Sequence, residues 1–349
     1  AVGRPLRSGG RVRRRRSAAR RRRRRRVGKS LTPPPGGGRP DSDDVKEGDA
    51  AREAVADAAR RTTSRRDLAR HERFEQISPE VGVLDPDAFA EAMQDDADDA
   101  LALLAELTGA TDERLRDLAR RLAGRVMVDL GRIGPERRRG VGRLRRVPRR
   151  DADGDIDLDS SLDAVAAARA GVVTGDELRV AAWQRPSTAV CLLVDRSGSM
   201  AGDRLAAAAV AAAAVIFRAP LDCSVVAFAE DAIVLKAQDE VRDPDEVVAD
   251  LLRLRGFGVT DLGLALRTAA AQLARSTAGR RITLLMSDCR VTAGGDALVH
   301  AAGTHEVAVL APNGDTADAE AFADALGARW AELAGPTSVP DAISTVLLG

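Results

Sequence analysis

The chain has 349 residues, room for about two domains, and its 44% hydrophobic content supports a sizeable core. Six Phe, two Trp and no Tyr leave that core to Ala, Leu and Val, while 54 Lys+Arg and 53 Asp+Glu nearly cancel. Three widely spaced cysteines with no CxxC argue against a disulfide framework or a zinc site and for a reducing compartment.

The charges cancel overall but not locally. Residues 1–30 are rich in Arg and contain no acid, so partners must be inferred region by region. A basic arm can hold nucleic acid by neutralising phosphates. Without an aromatic to stack on bases the case is weak, and nucleic acid is disfavoured as a partner; an unstructured segment that is not the natural terminus is the preferred expectation. No apolar stretch follows it, as a secretory signal would require. The longest apolar run, residues 205–217, is shorter than the ~20 residues of a membrane span. The expected protein is cytoplasmic, with no membrane contact.

Residues 33–38, Pro-Pro-Pro-Gly-Gly-Gly, form a linker by composition. Residues 41–70 are polar, Ala-rich and weakly helical at best, so residues 1–70 are expected to be disordered. A helical region is expected over 71–135. Asp85-Pro86 reads as an N-cap with Pro at the first helical position; a helix over 96–107 follows. A third helix capped by Thr111 presents Leu115, Leu118, Leu122, Val126 and Leu130 at 3-to-4 spacing. That stripe needs a partner, either the C-terminal domain or another protein. Residues 136–176 read as a charged connector, basic then acidic, with a short helix over 161–170. From 177 to 349 short apolar strands alternate with amphipathic helices, the pattern of a doubly wound, mostly parallel α/β sheet.

Several motifs fail. Gly28-Lys29-Ser30 lacks the Gly that a phosphate-binding loop needs at position 23, which is Arg. Asp151, Asp153 and Asp155 imitate a calcium loop, but Ile156 and Leu162 stand where Gly and Glu are required. Neither Ser197 nor Ser199 has both glycines of a serine-hydrolase elbow, and no nucleophile–base pair is evident.

Residues 188–194 form a continuous apolar run, as expected of a strand buried on both faces. The run ends in Asp195-Arg196-Ser197-Gly198-Ser199, before an Ala-rich helix over 203–217. A second loop carries Thr260 into a helix, and a third follows an apolar strand over 281–286 and carries Asp288. In open parallel sheets such loops lie where ligands bind. Together they supply two carboxylates and three hydroxyls, an all-oxygen set that suits a hard cation such as Mg²⁺, with Mn²⁺ or Ca²⁺ as alternatives. Neutral hydroxyls leave the metal electron-poor, ready for a carboxylate from a partner. Taken singly, Ser199 and Thr260 also read as helix caps and Asp195 and Asp288 as turn residues.

Asp195-x-Ser197-x-Ser199, Thr260 and Asp288 together resemble the metal-ion-dependent adhesion site of von Willebrand factor A (VWA) domains. The resemblance implies that Ser197, Ser199 and Thr260 act through their hydroxyls, and that Asp195 and Asp288 often act through bound water. Gly154 to Asp159, Leu178-Arg179-Val180, Cys191 to Met200 and Ser287 to Arg290 are similar to the bacterial cytoplasmic group related to CoxE and to the D subunit of magnesium chelatase. That group implies a partner, an AAA+ ATPase of MoxR type acting in protein maturation or metal insertion. With no Walker motif in this chain, the ATPase would be a separate protein. The leading expectation is a non-enzymatic adaptor that grips an acidic side chain of the ATPase or its client protein. The alternatives are a chelatase-type subunit and nucleic-acid binding through the Arg arm.

Overall fold

The structure is a computed structural model that describes residues 44–133, 143–149, 155–167, 178–184, 188–197, 202–254, 256, 258–301, 305–314 and 316–348. The Arg-rich segment and the Pro/Gly linker lie outside these residues. In chain order, strand β1 (Val45–Lys46) precedes helices α1 (Asp49–Ala58), α2 (Arg65–Leu68), α3 (Phe74–Ile77), α4 (Pro86–Asp95), α5 (Ala97–Leu107) and α6 (Glu113–Arg132). Then come β2 (Arg143–Pro148), β3 (Asp155–Ile156), α7 (Leu158–Ala167) and β4 (Arg179–Gln184). The remaining elements are β5 (Thr188–Asp195), α8 (Gly202–Arg218), β6 (Cys223–Phe228), β7 (Ala232–Lys236), α9 (Pro244–Arg253) and α10 (Leu262–Leu273). The chain closes with β8 (Arg280–Met286), α11 (Ala297–Ala301), β9 (Val307–Pro312), α12 (Ala317–Leu326), β10 (Arg329–Leu333) and α13 (Val339–Leu348).

Among the described residues, seven strands form one sheet in the order β1-β7-β6-β5-β8-β9-β10. Only the β6–β7 hairpin is antiparallel. The expected mostly parallel, doubly wound sheet is therefore present. Successive side chains of β5 enter opposite cores, as the period of two in a strand requires. Val190, Leu192 and Val194 join one cluster, and Ala189, Cys191 and Leu193 join the other. The chain leaves β5 toward β6 and β7, then returns to the other side of β5 as β8, so the switch point lies between β5 and β8.

The region ahead of the sheet is more ordered than its sequence suggests. Residues 44–70 are not disordered: β1 pairs with β7 and α1 buries Ala51 and Val55. A two-residue strand leaves no periodicity to read. Helix α4 begins at the cap Asp85, as expected, and α5 covers the expected second helix with Asp96 as its cap. The cap of α6 is Asp112, one residue after Thr111. Its fully buried line is also displaced, running through Leu115, Ala119, Ala123, Met127 and Gly131, with Leu118, Leu122, Val126 and Leu130 half-buried beside it.

The reason is close packing on α8, which is buried along nearly its whole length. Its eight alanines between Ala206 and Ala214 let α5, α6 and α9 approach on the side away from the sheet. A Cβ on Gly131 would lie 2.6 Å from Ala213 Cβ and 2.8 Å from the Ala214 nitrogen. The apolar stripe of α6 thus finds its partner within the same domain. The expected boundary at 177 is not a structural one.

The charged connector is also corrected. Residues 143–148 and 179–184 pair antiparallel, and β3 adds to the other side of β4. These short strands carry Arg143, Arg145, Arg146, Asp155 and Arg179, and Arg146 donates to Asp157 at 2.6 Å. Charge masked the strands. Strand β10 went unread as well, for it is an edge with Arg329, Trp330 and Glu332 only partly covered or exposed. No helix among the described residues is long and apolar enough to cross a membrane.

Two outcomes test this packing. Gly131→Ala gains helix propensity of about 1 kcal/mol, but the contact with α8 should outweigh it and give a net loss of about 1–2 kcal/mol in urea unfolding. Net stabilisation would contradict the close approach. Glu306 accepts hydrogen bonds from Arg280 on β8 at 2.8 and 2.6 Å and also pairs with Arg329 on β10. The Arg280 hydrogen bonds, acting against partial burial and joined by Arg329, hold its pKa below the usual glutamate range. A depressed folded pKa gives stability that is present above the unfolded value and lost as pH falls through the folded one. Glu306→Gln should therefore unfold more easily than wild type at neutral pH, with the two converging in acid.

Candidate functional site

Asp195 is the last residue of β5, and Ser287 and Asp288 follow directly on β8. The register Val194↔Met286 brings these two strand ends to one level. Ser287 Oγ donates to Asp195 Oδ2 at 2.6 Å, and the Ser197 backbone N–H donates to Asp195 Oδ1 at 2.8 Å. Asp195 is only 6% exposed. Burial pushes its pKa up and the nearby Asp288 carboxylate adds to that, while the Ser287 and Ser197 hydrogen bonds oppose it.

Asp288 sits in a turn built around two hydrogen bonds. Its Oδ1 accepts the Arg290 N–H at 3.0 Å, and Ser287 Oγ accepts the Cys289 N–H at 2.9 Å. Cys289, to which the sequence assigned no role, has φ 60°, a left-handed conformation uncommon for residues other than Gly, Asn, Asp and His. Its part is in the backbone turn behind Asp288; the thiol is buried and its pKa is pushed up to about 12 by that burial and by Asp288 and Asp195. Arg204, at the start of α8, reaches to 3.9 Å from Asp288 Oδ2.

Thr260 is 3% exposed and is held from both sides. Its N–H donates to Thr292 Oγ1 at 2.8 Å, and its carbonyl accepts from the Thr292 and Ala293 N–H groups at 3.2 and 3.1 Å. The next residue, Asp261, donates its N–H to the Ala229 carbonyl at 2.8 Å, tying this loop to the end of β6. Asp261, not Thr260, caps α10 by accepting from Leu264. Gly294, at φ 86°, lies so close to the Asp261 carboxylate that a side chain there would collide with it.

The loops are linked at the carboxyl edge of the sheet, Asp195 to Ser287 and Thr260 to Thr292. Asp195, Ser197 and Asp288 are grouped directly, and Thr260 is buried on the adjoining loop. Ser199 lies outside the described residues. The turn roles of Asp195 and Asp288 are real, yet each involves one oxygen's bond to a nearby N–H and leaves further lone pairs. Sequence reasoning missed Ser287 and Arg196. Ser287 stood beside the motif with nothing to distinguish it. Arg196 donates its N–H to the Phe228 carbonyl at 2.8 Å and pairs with Asp231 on the β6–β7 turn. Among the described residues no group of three or more His, Cys, Asp or Glu could hold a metal, so a cation at this edge would also need the hydroxyls.

The Ser287 bond to a carboxylate belongs to the class worth about 1.5–3 kcal/mol. Ser287→Ala should lose about that much in urea unfolding; a loss under about 0.5 kcal/mol would show that the bond does not hold the two strand ends.

A family model described as "VWA domain containing CoxE-like protein" matches residues 130–327, more than half of the chain. No curated protein matches significantly. Similar solved structures include a von Willebrand factor type A protein from Catenulispora acidiphila at 18% identity and TM-score 0.37, covering 47% of this chain and 41% of that one. An aerotolerance-related membrane protein from Bacteroides fragilis matches at 18% identity and TM-score 0.38, covering 46% of this chain and 98% of that one. Proximal thread matrix protein 1 from the mussel byssus matches at 13% identity and TM-score 0.38, covering 46% and 47%. On its match over residues 130–327, the chain belongs to the family of VWA domain containing CoxE-like proteins.

Proposed function

We propose that Asp195, Ser197, Ser199, Thr260 and Asp288 hold one Mg²⁺, for which Mn²⁺ or Ca²⁺ can substitute, and that the chain uses it to capture a carboxylate of a partner protein. Membership of the VWA family supports a protein-interaction role in general. The observation that carries the finer reading is the buried Asp195 carboxylate, destabilised by burial and by Asp288 at the end of the neighbouring strand. Two carboxylates so arranged repel, and a cation relieves both the repulsion and the desolvation. Carboxylate and hydroxyl oxygens are the donors a hard cation prefers, so the residues fit the ion.

When bound, the ion supplies a coordination position for an incoming carboxylate. The chain's own part is to present oxygens from three loops held by Ser287, Thr292 and Ala229. We read the protein as a binding adaptor, not a catalyst, whose partners are a separate MoxR-type AAA+ ATPase and an acidic client. The family match and the sequence resemblance support that pairing.

Calorimetric titration of Mg²⁺ into the full chain tests the site. Asp195→Asn and Ser197→Ala, checked for folding by circular dichroism, should bind about tenfold more weakly or not at all. Unchanged affinity in both variants would contradict the reading. Partner retention on the immobilised chain should disappear in EDTA; retention that survives EDTA would contradict carboxylate capture through the ion.

A further inference from the structure

Arg196 sits between Asp195 and Ser197 in the loop that carries the proposed ligands, and its side chain is only 10% exposed. A guanidinium on this loop, turned toward Asp195 and Asp288, would compete with a divalent cation for their oxygens. It is held elsewhere: Arg196 Nη2 pairs with Asp231 Oδ1, and Lys46 Nζ pairs with Asp231 Oδ2 at 2.6 Å. Arg196 Nε is buried with no hydrogen-bond partner, so Asp231 is the side chain among the described residues that holds this guanidinium.

Lys46 belongs to β1, which pairs parallel with β7 through Val45↔Ala232 and Lys46↔Ile233, and the Ala232 N–H donates to the Asp44 carbonyl at 2.9 Å. Burial works against the Asp231 carboxylate, but Lys46 and Arg196 outweigh it and hold its pKa below the usual range. A partly buried carboxylate with each oxygen given to a different cation has one orientation; without Lys46 that orientation is no longer imposed. The neighbouring residue anchors the same strand by a separate route: Glu47 accepts from Arg275 Nη2 at 2.7 Å and Gln272 Nε2 at 3.3 Å.

We propose that Lys46 and Asp231 are positioning residues that draw Arg196 away from the carboxylates, so that β1, far from the motif in sequence, keeps the cation site open. This rests on the Mg²⁺ reading above and deepens it. Lys46→Met and Asp231→Asn should each weaken Mg²⁺ binding by about fivefold or more, within the usual range of coupling between sites. Glu47→Gln, which loosens the same strand without touching Asp231, should leave Mg²⁺ affinity unchanged. Adding Arg196→Gln to Asp231→Asn removes the competitor and should restore most of the affinity, an effect that mere loss of structure cannot produce.

Mg²⁺ titration of these folded variants decides it. Wild-type affinity in Lys46→Met and Asp231→Asn, or a loss in Glu47→Gln equal to theirs, would overturn the inference. So would a double variant no better than Asp231→Asn alone. A wild-type chain that takes up no Mg²⁺ would overturn the functional reading and this one together, whereas wild-type binding with unaffected variants would overturn this one alone.

Discussion

A carboxylate buried at the end of a strand covered on both faces needs hydrogen bonds there, and Asp195 receives them from the Ser197 N–H and the Ser287 hydroxyl. Those donors exist only because β5 and β8 end at one level and the chain turns sharply after each. The left-handed Cys289, the Thr260–Thr292 pairing and the Asp261–Ala229 tie all hold loops around this one group. The arrangement brings the Asp195 and Asp288 carboxylates together at the carboxyl edge of the sheet, the edge at which open parallel sheets in general bind ligands.

Aromatic scarcity shapes the remainder. With few large rings to fill space, small residues let helices come close. Helix α8 is packed between the sheet and α5, α6 and α9, and its alanine run is what makes that possible. The N-terminal helices are therefore the outer layer of the sheet's own domain, and β1 extends the sheet itself. A site at the sheet edge can then be linked to residues remote from it in sequence, as Lys46, Asp231 and Arg196 are.

The sheet and the loop residues were legible because their signals are local: β5 is continuously apolar, Asp195 directly follows it, and Asp288 stands one residue beyond another apolar strand. Helix α4 was legible from Asp85-Pro86 and α6 to within one residue of its cap Asp112, whereas α9, capped by Asp243, was not read. Other features were not. Two residues of β1 carry no period, the arginines and aspartates of β2 and β3 hide a pairing, and β10 is an edge. Beyond Leu115, the buried line of α6 fell on Ala119, Ala123 and Gly131 instead of on Leu118, Leu122 and Leu130, because distance to α8, not hydrophobicity, selects the face. Ser287 and Asp231 acquire meaning only through contacts 92 and 35 residues away in sequence.

Adhesion through a captured ion is the central claim, and the ion's position is the most direct measure of it. Crystals of the full chain grown with Mn²⁺ in place of Mg²⁺ should show an anomalous peak at the manganese edge bounded by Asp195, Ser197, Thr260 and Asp288. No peak there, or one elsewhere on the molecule, would contradict the account.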